Sequence, residues 1–168
     1  VQPTTITATI MPASLANSPL TWTVTKGADL IEIEPNDKSC VIRGRKSGDA
    51  YIEVSSGNIK TELHVYVPEY ISMINIYDRT TDRSGYLIPS IVYDVSRTDG
   101  TMDLDAFTNE DATYQSIEWS IDDAHKSFAA IDKDTGVVSF KKGMDKDDYM
   151  QITATATDGS GYATTVKF

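Results

Sequence analysis

The sequence has only one cysteine, Cys40, so no disulfide bond can form within the chain. A small fold held together by disulfides is therefore excluded, and packing alone must stabilise this protein. Cys40 lies in the segment Ser-Cys-Val-Ile-Arg, which has the pattern of a β-strand. We therefore expect Cys40 to be a small buried side chain rather than a reactive thiol.

Long apolar runs are also missing from the sequence. No segment approaches the roughly 20 apolar residues needed to cross a bilayer as a helix. The start of the chain, Val-Gln-Pro-Thr, has neither an initiator methionine nor the basic and apolar pattern of a signal peptide. We therefore expect the chain to be an excised or mature segment, with any targeting signal outside it.

Basic residues are few relative to acidic ones. The chain has 15 lysines and arginines against 25 aspartates and glutamates, which gives a net charge of −10. A surface that binds phosphates needs clustered basic residues, so nucleic acid is excluded as a partner. The charge is uneven: residues 1–68 carry a net −1 and residues 69–168 a net −9. This asymmetry favours two units with different surfaces.

Histidine is scarce, and the sequence holds no pattern of catalytic residues. His64 alternates with apolar neighbours and His125 lies in a polar stretch, so we expect both at the surface, and neither has zinc-ligand spacing. No Gly-x-Ser-x-Gly motif and no glycine-rich phosphate loop preceding a helix is present. Paired glycosidase carboxylates would need a deep cleft, which small β-domains rarely provide. We therefore predict that the chain is not an enzyme and has no cofactor.

The residues that are abundant favour β-structure. Isoleucine, valine, tyrosine and threonine are frequent, and they suit a half-buried pleated surface. Short segments alternate between polar and apolar residues, with turn signals roughly every 8–12 residues, as a β-sandwich requires. No long segment has helical periodicity. The fold class predicted is all-β.

The pattern occurs twice along the chain. Trp22, in Leu-Thr-Trp-Thr-Val, corresponds to Trp119, in Ile-Glu-Trp-Ser-Ile, and Val41 corresponds to Val138 at the same separation. A repeat of about 100 residues is the size of one sandwich. We therefore predict two tandem immunoglobulin-like β-sandwich domains, residues 1–68 and 69–168. Both tryptophans have apolar neighbours two residues away on the same face, so we expect them in the cores rather than on a sugar-binding platform.

These motifs resemble the bacterial Ig-like domain, group 2. The residues that carry the resemblance are 8–12, 20–22, 47–54, 117–120, 130–138 and 152–156. Two departures are visible. The first unit lacks the opening strand of such domains, and the second has about twenty extra residues near 96–115.

The resemblance implies a non-catalytic module of a bacterial secreted or cell-surface protein, which acts in adhesion or as a structural spacer. The expected location is extracellular or at the bacterial surface, and the partner is an unidentified protein or glycan there. A carbohydrate-binding β-sandwich, or an accessory domain of a glycan-active enzyme, is the alternative. Fold alone does not separate these functions.

The extra segment is the candidate contact site, because long loops on a rigid scaffold often carry recognition. It includes Phe107 and Tyr114, and its acidic candidates are Asp99, Asp103, Asp105, Glu110 and Asp111. Such a loop would attract a basic partner or a cation, with calcium as a secondary possibility. The alternative is an extra strand or helix turn that covers a sheet edge, with Met102, Leu104 and Phe107 docked on the sandwich. A second acidic cluster, residues 145–148, is interpreted as solvated surface.

Overall fold

The computed structural model describes residues 2–79, 100–143 and 149–168. Within these ranges the chain is nearly all β-structure, with thirteen strands and two short 3-10 helices, Ala13–Leu15 and Asp123–His125. Contacts between Cα atoms divide the chain into two compact units, Val1–Glu69 and Tyr70–Phe168. The all-β fold class predicted from the sequence is confirmed.

The first unit is built from two antiparallel sheets of three strands, with strand orders β1-β4-β3 and β2-β5-β6. Its strands are β1 (Thr4–Thr7), β2 (Thr21–Lys26), β3 (Ile31–Asn36), β4 (Ser39–Gly44), β5 (Gly48–Ser56) and β6 (Ile59–Val67). Each sheet is apolar on its inner face because side chains alternate along a strand. One buried cluster forms this core: Trp22, Ile31, Cys40, Ile42, Ala50, Ile52, Val54 and Val67.

Two sequence predictions for the first unit are confirmed by this core. Trp22 is buried, and its indole N–H donates to the backbone carbonyl of Asp37 at 2.9 Å. Cys40 is fully buried, and this burial raises the pKa of its thiol. The side chain therefore stays protonated and acts as a small apolar group.

The second unit contains a four-stranded sheet, ordered β10-β11-β8-β7, and a three-stranded sheet, ordered β13-β12-β9. Its described strands are β7 (Ile74–Asp78), β8 (Gly100–Thr108), β9 (Ile117–Ile121), β10 (Ala129–Ile131), β11 (Val137–Phe140), β12 (Gln151–Ala156) and β13 (Ala163–Lys167). Trp119 is buried in the core of this unit, as the sequence predicted. The strand predicted at residues 87–93 lies outside the described residues.

β8 comes from the segment that the sequence marked as extra. Its residues 100–103 pair with β11 and its residues 104–108 pair with β7, so β8 lies between these two strands in the sheet order. Met102 and Leu104 are almost fully buried on its inner face, as expected. Phe107 was expected to dock with them, and this is wrong: it lies on the opposite side of the strand and is 58% exposed, because side chains alternate along a strand. Residues 100–108 are therefore part of the scaffold and do not form a surface loop or cover an edge.

The prediction that His125 lies at the surface is wrong. Its side chain is buried, with 6% of the residue exposed, and its Nδ1 lies 2.6 Å from Oδ1 of Asp122. Asp122 begins the short helix Asp123–His125 and accepts hydrogen bonds from the backbone amides of His125 and Gln151. The carboxylate turns the ring inward, which a count of polar neighbours in the sequence does not reveal. His64 does lie at the surface, as predicted.

Candidate contact surface

Alternation along β7 and β8 places a group of polar and aromatic side chains on the outer face of their sheet. In β8, Met102 and Leu104 are buried, whereas Asp103, Asp105 and Phe107 are on the opposite side. Tyr77 of β7 lies directly across from Asp105 in the register. The acidic-aromatic face, as we call it, consists of Tyr77, Arg79, Asp103, Asp105 and Phe107. Tyr77 is itself buried, with 9% of the residue exposed.

Two aromatic rings form the apolar part of this face. Tyr77 and Phe107 are stacked, with ring centroids 4.7 Å apart and an angle of 16° between the planes. Phe107 is 58% exposed, although its backbone is fixed by pairing with Asn75 of β7. An exposed aromatic ring on a rigid strand loses little conformational entropy when a partner covers it.

Asp105 joins the aromatic and charged parts of the face. Its Oδ2 accepts hydrogen bonds from the Tyr77 hydroxyl at 2.6 Å and from Nε of Arg79 at 2.7 Å, and Nη2 of Arg79 contacts the same oxygen. Its Oδ1 accepts from the amide of Ala106 at 2.8 Å. These bonds hold the tyrosine and the arginine in place, so the face is organised before any partner arrives.

The same contacts set the protonation states of the face. Partial burial raises the pKa of Asp105, but hydrogen bonds from Tyr77, Arg79 and the Ala106 amide outweigh this effect and hold the pKa below its usual value. Burial, followed by the hydrogen bond to Asp105, raises the pKa of Tyr77. At neutral pH the face therefore carries a carboxylate, a guanidinium and a neutral phenol.

The structure brings together only some of the acidic residues predicted as a site. Asp103 and Asp105 share the outer face of β8, whereas Glu110 and Asp111 follow the end of that strand, where Asp111 accepts from Asn109 at 2.8 Å. Asp99 and residues 145–148 lie outside the described residues. The sequence reasoning did not single out Tyr77 and Arg79. The alternation of Ile74 and Ile76 with polar neighbours was the signal that would have placed them beside Asp105.

Metal binding is not supported by any cluster in the part of the chain that the structure describes, since no three acidic, histidine or cysteine side chains converge there. Asp105 also uses both carboxylate oxygens for hydrogen bonds within the protein. Calcium binding therefore stays a prediction without a located site. Over the described residues, no helix is both long and apolar enough to span a membrane.

Acid is expected to destabilise the second unit, because hydrogen bonds lower the pKa of four of its aspartates: Asp105, Asp122, Asp132 and Asp158. For Asp158, burial raises the pKa, but the amides of Ile71 and Ser160 donate to the carboxylate and more than compensate. A lowered pKa stabilises the folded state above the unfolded pKa of about 3.9, and this contribution disappears as the pH falls through the folded pKa. In a Trp22→Phe background, Trp119 is the remaining tryptophan and reports on the second unit. Thermal unfolding followed by its fluorescence should show a midpoint temperature that falls as the pH drops below about 4.

Asp158→Asn provides the control for this pH dependence. The variant should be less stable at pH 7, and its midpoint should fall less steeply in acid, because one of the titrating groups is gone. An unfolding midpoint of the unmodified chain that stays constant down to about pH 2 would contradict the stabilising role of these carboxylates. A midpoint of the variant that falls as steeply in acid as that of the unmodified chain would contradict it as well.

Comparison with known proteins identifies the fold. No family model matches the sequence, and no curated protein matches it either. Among solved structures, the C-terminal 282-residue fragment of intimin, in complex with the intimin-binding domain of the translocated intimin receptor, is 15% identical with a TM-score of 0.51. The match covers 99% of this chain and 57% of that fragment, so the chain spans just over half of the intimin fragment.

Two further structures give lower scores. Mouse cadherin-23 EC22–24 is 19% identical with a TM-score of 0.38, and the match covers 89% of this chain and 51% of that one. The D0-D1 domain of intimin is 11% identical with a TM-score of 0.34, with coverage of 99% and 90%. The likeness to the intimin fragment, together with the strand orders, identifies an immunoglobulin-like β-sandwich fold.

Proposed function

We propose that the chain is a non-catalytic immunoglobulin-like module of a bacterial secreted or cell-surface protein and that it acts in adhesion. The proposal includes membership of the bacterial Ig-like group 2, which rests on the residues quoted above for that resemblance. The fold shared with an intimin fragment that was solved with a protein receptor supports an adhesive role. Because one fold serves many functions, a contact surface, and not the fold, has to distinguish adhesion from the other roles.

The observation that carries the proposal is the exposed Phe107 on the acidic-aromatic face. Binding energy in protein interfaces concentrates in a few aromatic and arginine side chains, which are surrounded by contacts that exclude water. Phe107 and Arg79 supply such side chains, and Asp105 fixes the arginine and the neighbouring tyrosine. A structural spacer needs no exposed aromatic ring on an organised charged face.

The charge of the second unit indicates the chemistry of the partner. Residues 69–168 carry a net −9, so a partner with a basic surface would be attracted to this unit. We expect such a partner to be a protein at a cell surface, with an apolar contact for Phe107 and a basic surface that complements the negative charge of this unit. Raising the salt concentration should weaken the binding, mainly by slowing association.

The proposal is tested with beads that carry the chain, assayed for adhesion to cultured cells and to panels of immobilised surface proteins and glycans. Phe107→Ala should reduce adhesion at least about tenfold, since central aromatic residues of interfaces often contribute more than 1.4 kcal/mol. Tyr114→Ala is the matched control, because Tyr114 is 59% exposed in the same unit but lies outside the face. Adhesion should be nearly unchanged in this variant.

Other outcomes of the same assay distinguish the alternatives. Equal loss in both variants, or no adhesion to any surface, would contradict a contact role for the face and favour a spacer. Specific binding to the glycan panel alone would favour the carbohydrate-binding alternative. Turnover of any glycan would contradict a non-catalytic function.

A further inference from the structure

The first unit has a strand edge that is open to pairing. Strand β6 is the last strand of its sheet and pairs with β5 alone among the described strands. The two-residue turn between β5 and β6 closes on the pair Ser56–Ile59, so Lys60 and Glu62 direct their backbone N–H and C=O groups away from β5. Residues 59–62 are exposed. An unpaired edge of this kind is a template for another strand.

The charges along this edge are incompletely matched within the chain. Glu62 lies directly across from Glu53, and like charges in that position are destabilising. Lys60 forms its ion pair with Glu53, with Nζ 2.9 Å from Oε1. Glu62 therefore faces a like charge and has no cationic partner among the residues that the structure describes.

The inner side of the same edge is apolar and incompletely covered. Ile59 is 51% exposed, and Leu63 is half-buried. Ile59 lines a groove of about 310 Å³. Ile10 and Met11, which follow β1, and further residues near the β5–β6 turn also line this groove. Apolar side chains at every second position of an added strand would cover this groove.

We propose that this edge pairs with the same edge of a second copy of the chain, antiparallel and with the two-fold axis at Thr61. In this register Lys60 lies opposite Glu62 of the second copy, and Ile59 lies opposite its Leu63. Both Glu62 side chains then gain a cation, and the apolar residues extend the inner faces of both sheets. A shift of the axis to Lys60 or to Glu62 would place two like charges opposite each other, so the sequence is self-complementary in one register near this turn.

A charge exchange tests the pairing independently of any adhesive function, since the face proposed for adhesion lies in the other unit. Sedimentation velocity over a range of concentrations should detect a dimer of the unmodified chain. Glu62→Lys should raise its dissociation constant about tenfold or more, because two cross-strand pairs become repulsive. The double variant Lys60→Glu with Glu62→Lys should restore dimerisation. A chain that is monomeric at millimolar concentration, or a double variant as weak as the single one, would overturn the proposal.

Cysteine substitution tests the register. Thr61 and its symmetry mate would be a non-hydrogen-bonded pair with Cα atoms about 4.5 Å apart, which suits a disulfide. Thr61→Cys should therefore form a covalent dimer on mild oxidation, whereas Leu63→Cys should not, because Leu63 lies opposite Ile59. Cys40 is fully buried and does not compete. If Leu63→Cys forms the dimer or neither variant does, the edge has a different register or is occupied by a different strand, and the proposal fails.

Discussion

Replacing Trp119 with alanine is expected to lower the free energy of unfolding of the second unit by about 3–5 kcal/mol, the usual cost of truncating a large buried aromatic residue. Trp119 is 5% exposed and belongs to a core that draws on both sheets, including Leu104 of β8 and Ile152 of β12. Removing the indole would leave a cavity between the sheets that neighbouring side chains can fill only partly. Urea unfolding followed by circular dichroism measures the loss.

The two tryptophans allow the same variant to test the proposed domain division, because each unit contains one of them. Without Trp119, tryptophan fluorescence reports on Trp22 and hence on the first unit. Trp119→Phe is the reference, since it removes the fluorophore but keeps most of the aromatic bulk. We expect the unfolding midpoint reported by Trp22 to be the same in both variants. A lower midpoint in the alanine variant would contradict separate folding of residues 1–68 and 69–168.

Local patterns in the sequence were sufficient to predict most strands. The alternation around Trp22 and Trp119 predicted β2 and β9 with their buried faces, because the side-chain period of two in a strand can be read directly from neighbouring residues. Cys40 was predicted to be buried for the same reason. In these cases the sequence pattern and the packing depend on the same few residues.

Pairing between distant segments was not accessible from such patterns. Residues 100–108 were predicted as part of an extra segment because the stretch near 96–115 departs from the pattern of the bacterial Ig-like domain that the chain resembles. Nevertheless, β8 occupies an internal position between β7 and β11. His125 was misplaced although Asp122, which contacts its ring, is only three positions away. Asp122 is itself held by the backbone amide of Gln151, 29 positions along the chain, and a local window does not contain that contact. Strand order and inward-facing turns are fixed by long-range contacts, which a local window does not contain.

The candidate site shows the same division between local and long-range information. Asp103 and Asp105 could be selected from the sequence because they are acidic and close together. Tyr77 and Arg79 could not be linked to them, because 26 residues separate Arg79 from Asp105 and only the pairing of β7 with β8 makes them neighbours. Asp103 and Asp105 were predicted to lie in an acidic loop, whereas in the structure they lie on one face of the paired strands β7 and β8.

Gly136 is expected to be the glycine of the second unit least tolerant of substitution. It lies just before β11 with φ at +75°, a conformation that residues with a side chain rarely adopt. A Cβ atom there would lie 2.6 Å from the carbonyl oxygen of Leu104 and 3.0 Å from the indole of Trp119. The carbonyl belongs to an internal strand and the indole to the core, so neither can move away easily.

Gly136→Ala should therefore combine the cost of the left-handed backbone with the cost of overpacking, whereas Gly161→Ala should show only the first. Gly161 is the matched control, because its φ is +74° in the same unit and nothing lies within 4 Å of a Cβ built there. We expect Gly161→Ala to cost about 1–2 kcal/mol and Gly136→Ala about 1–3 kcal/mol more than that. Urea unfolding of both variants in a Trp22→Phe background, followed by Trp119 fluorescence, gives the difference. Equal losses would mean that the close contact with Leu104 and Trp119 does not constrain this position, and that backbone conformation alone selects glycine there.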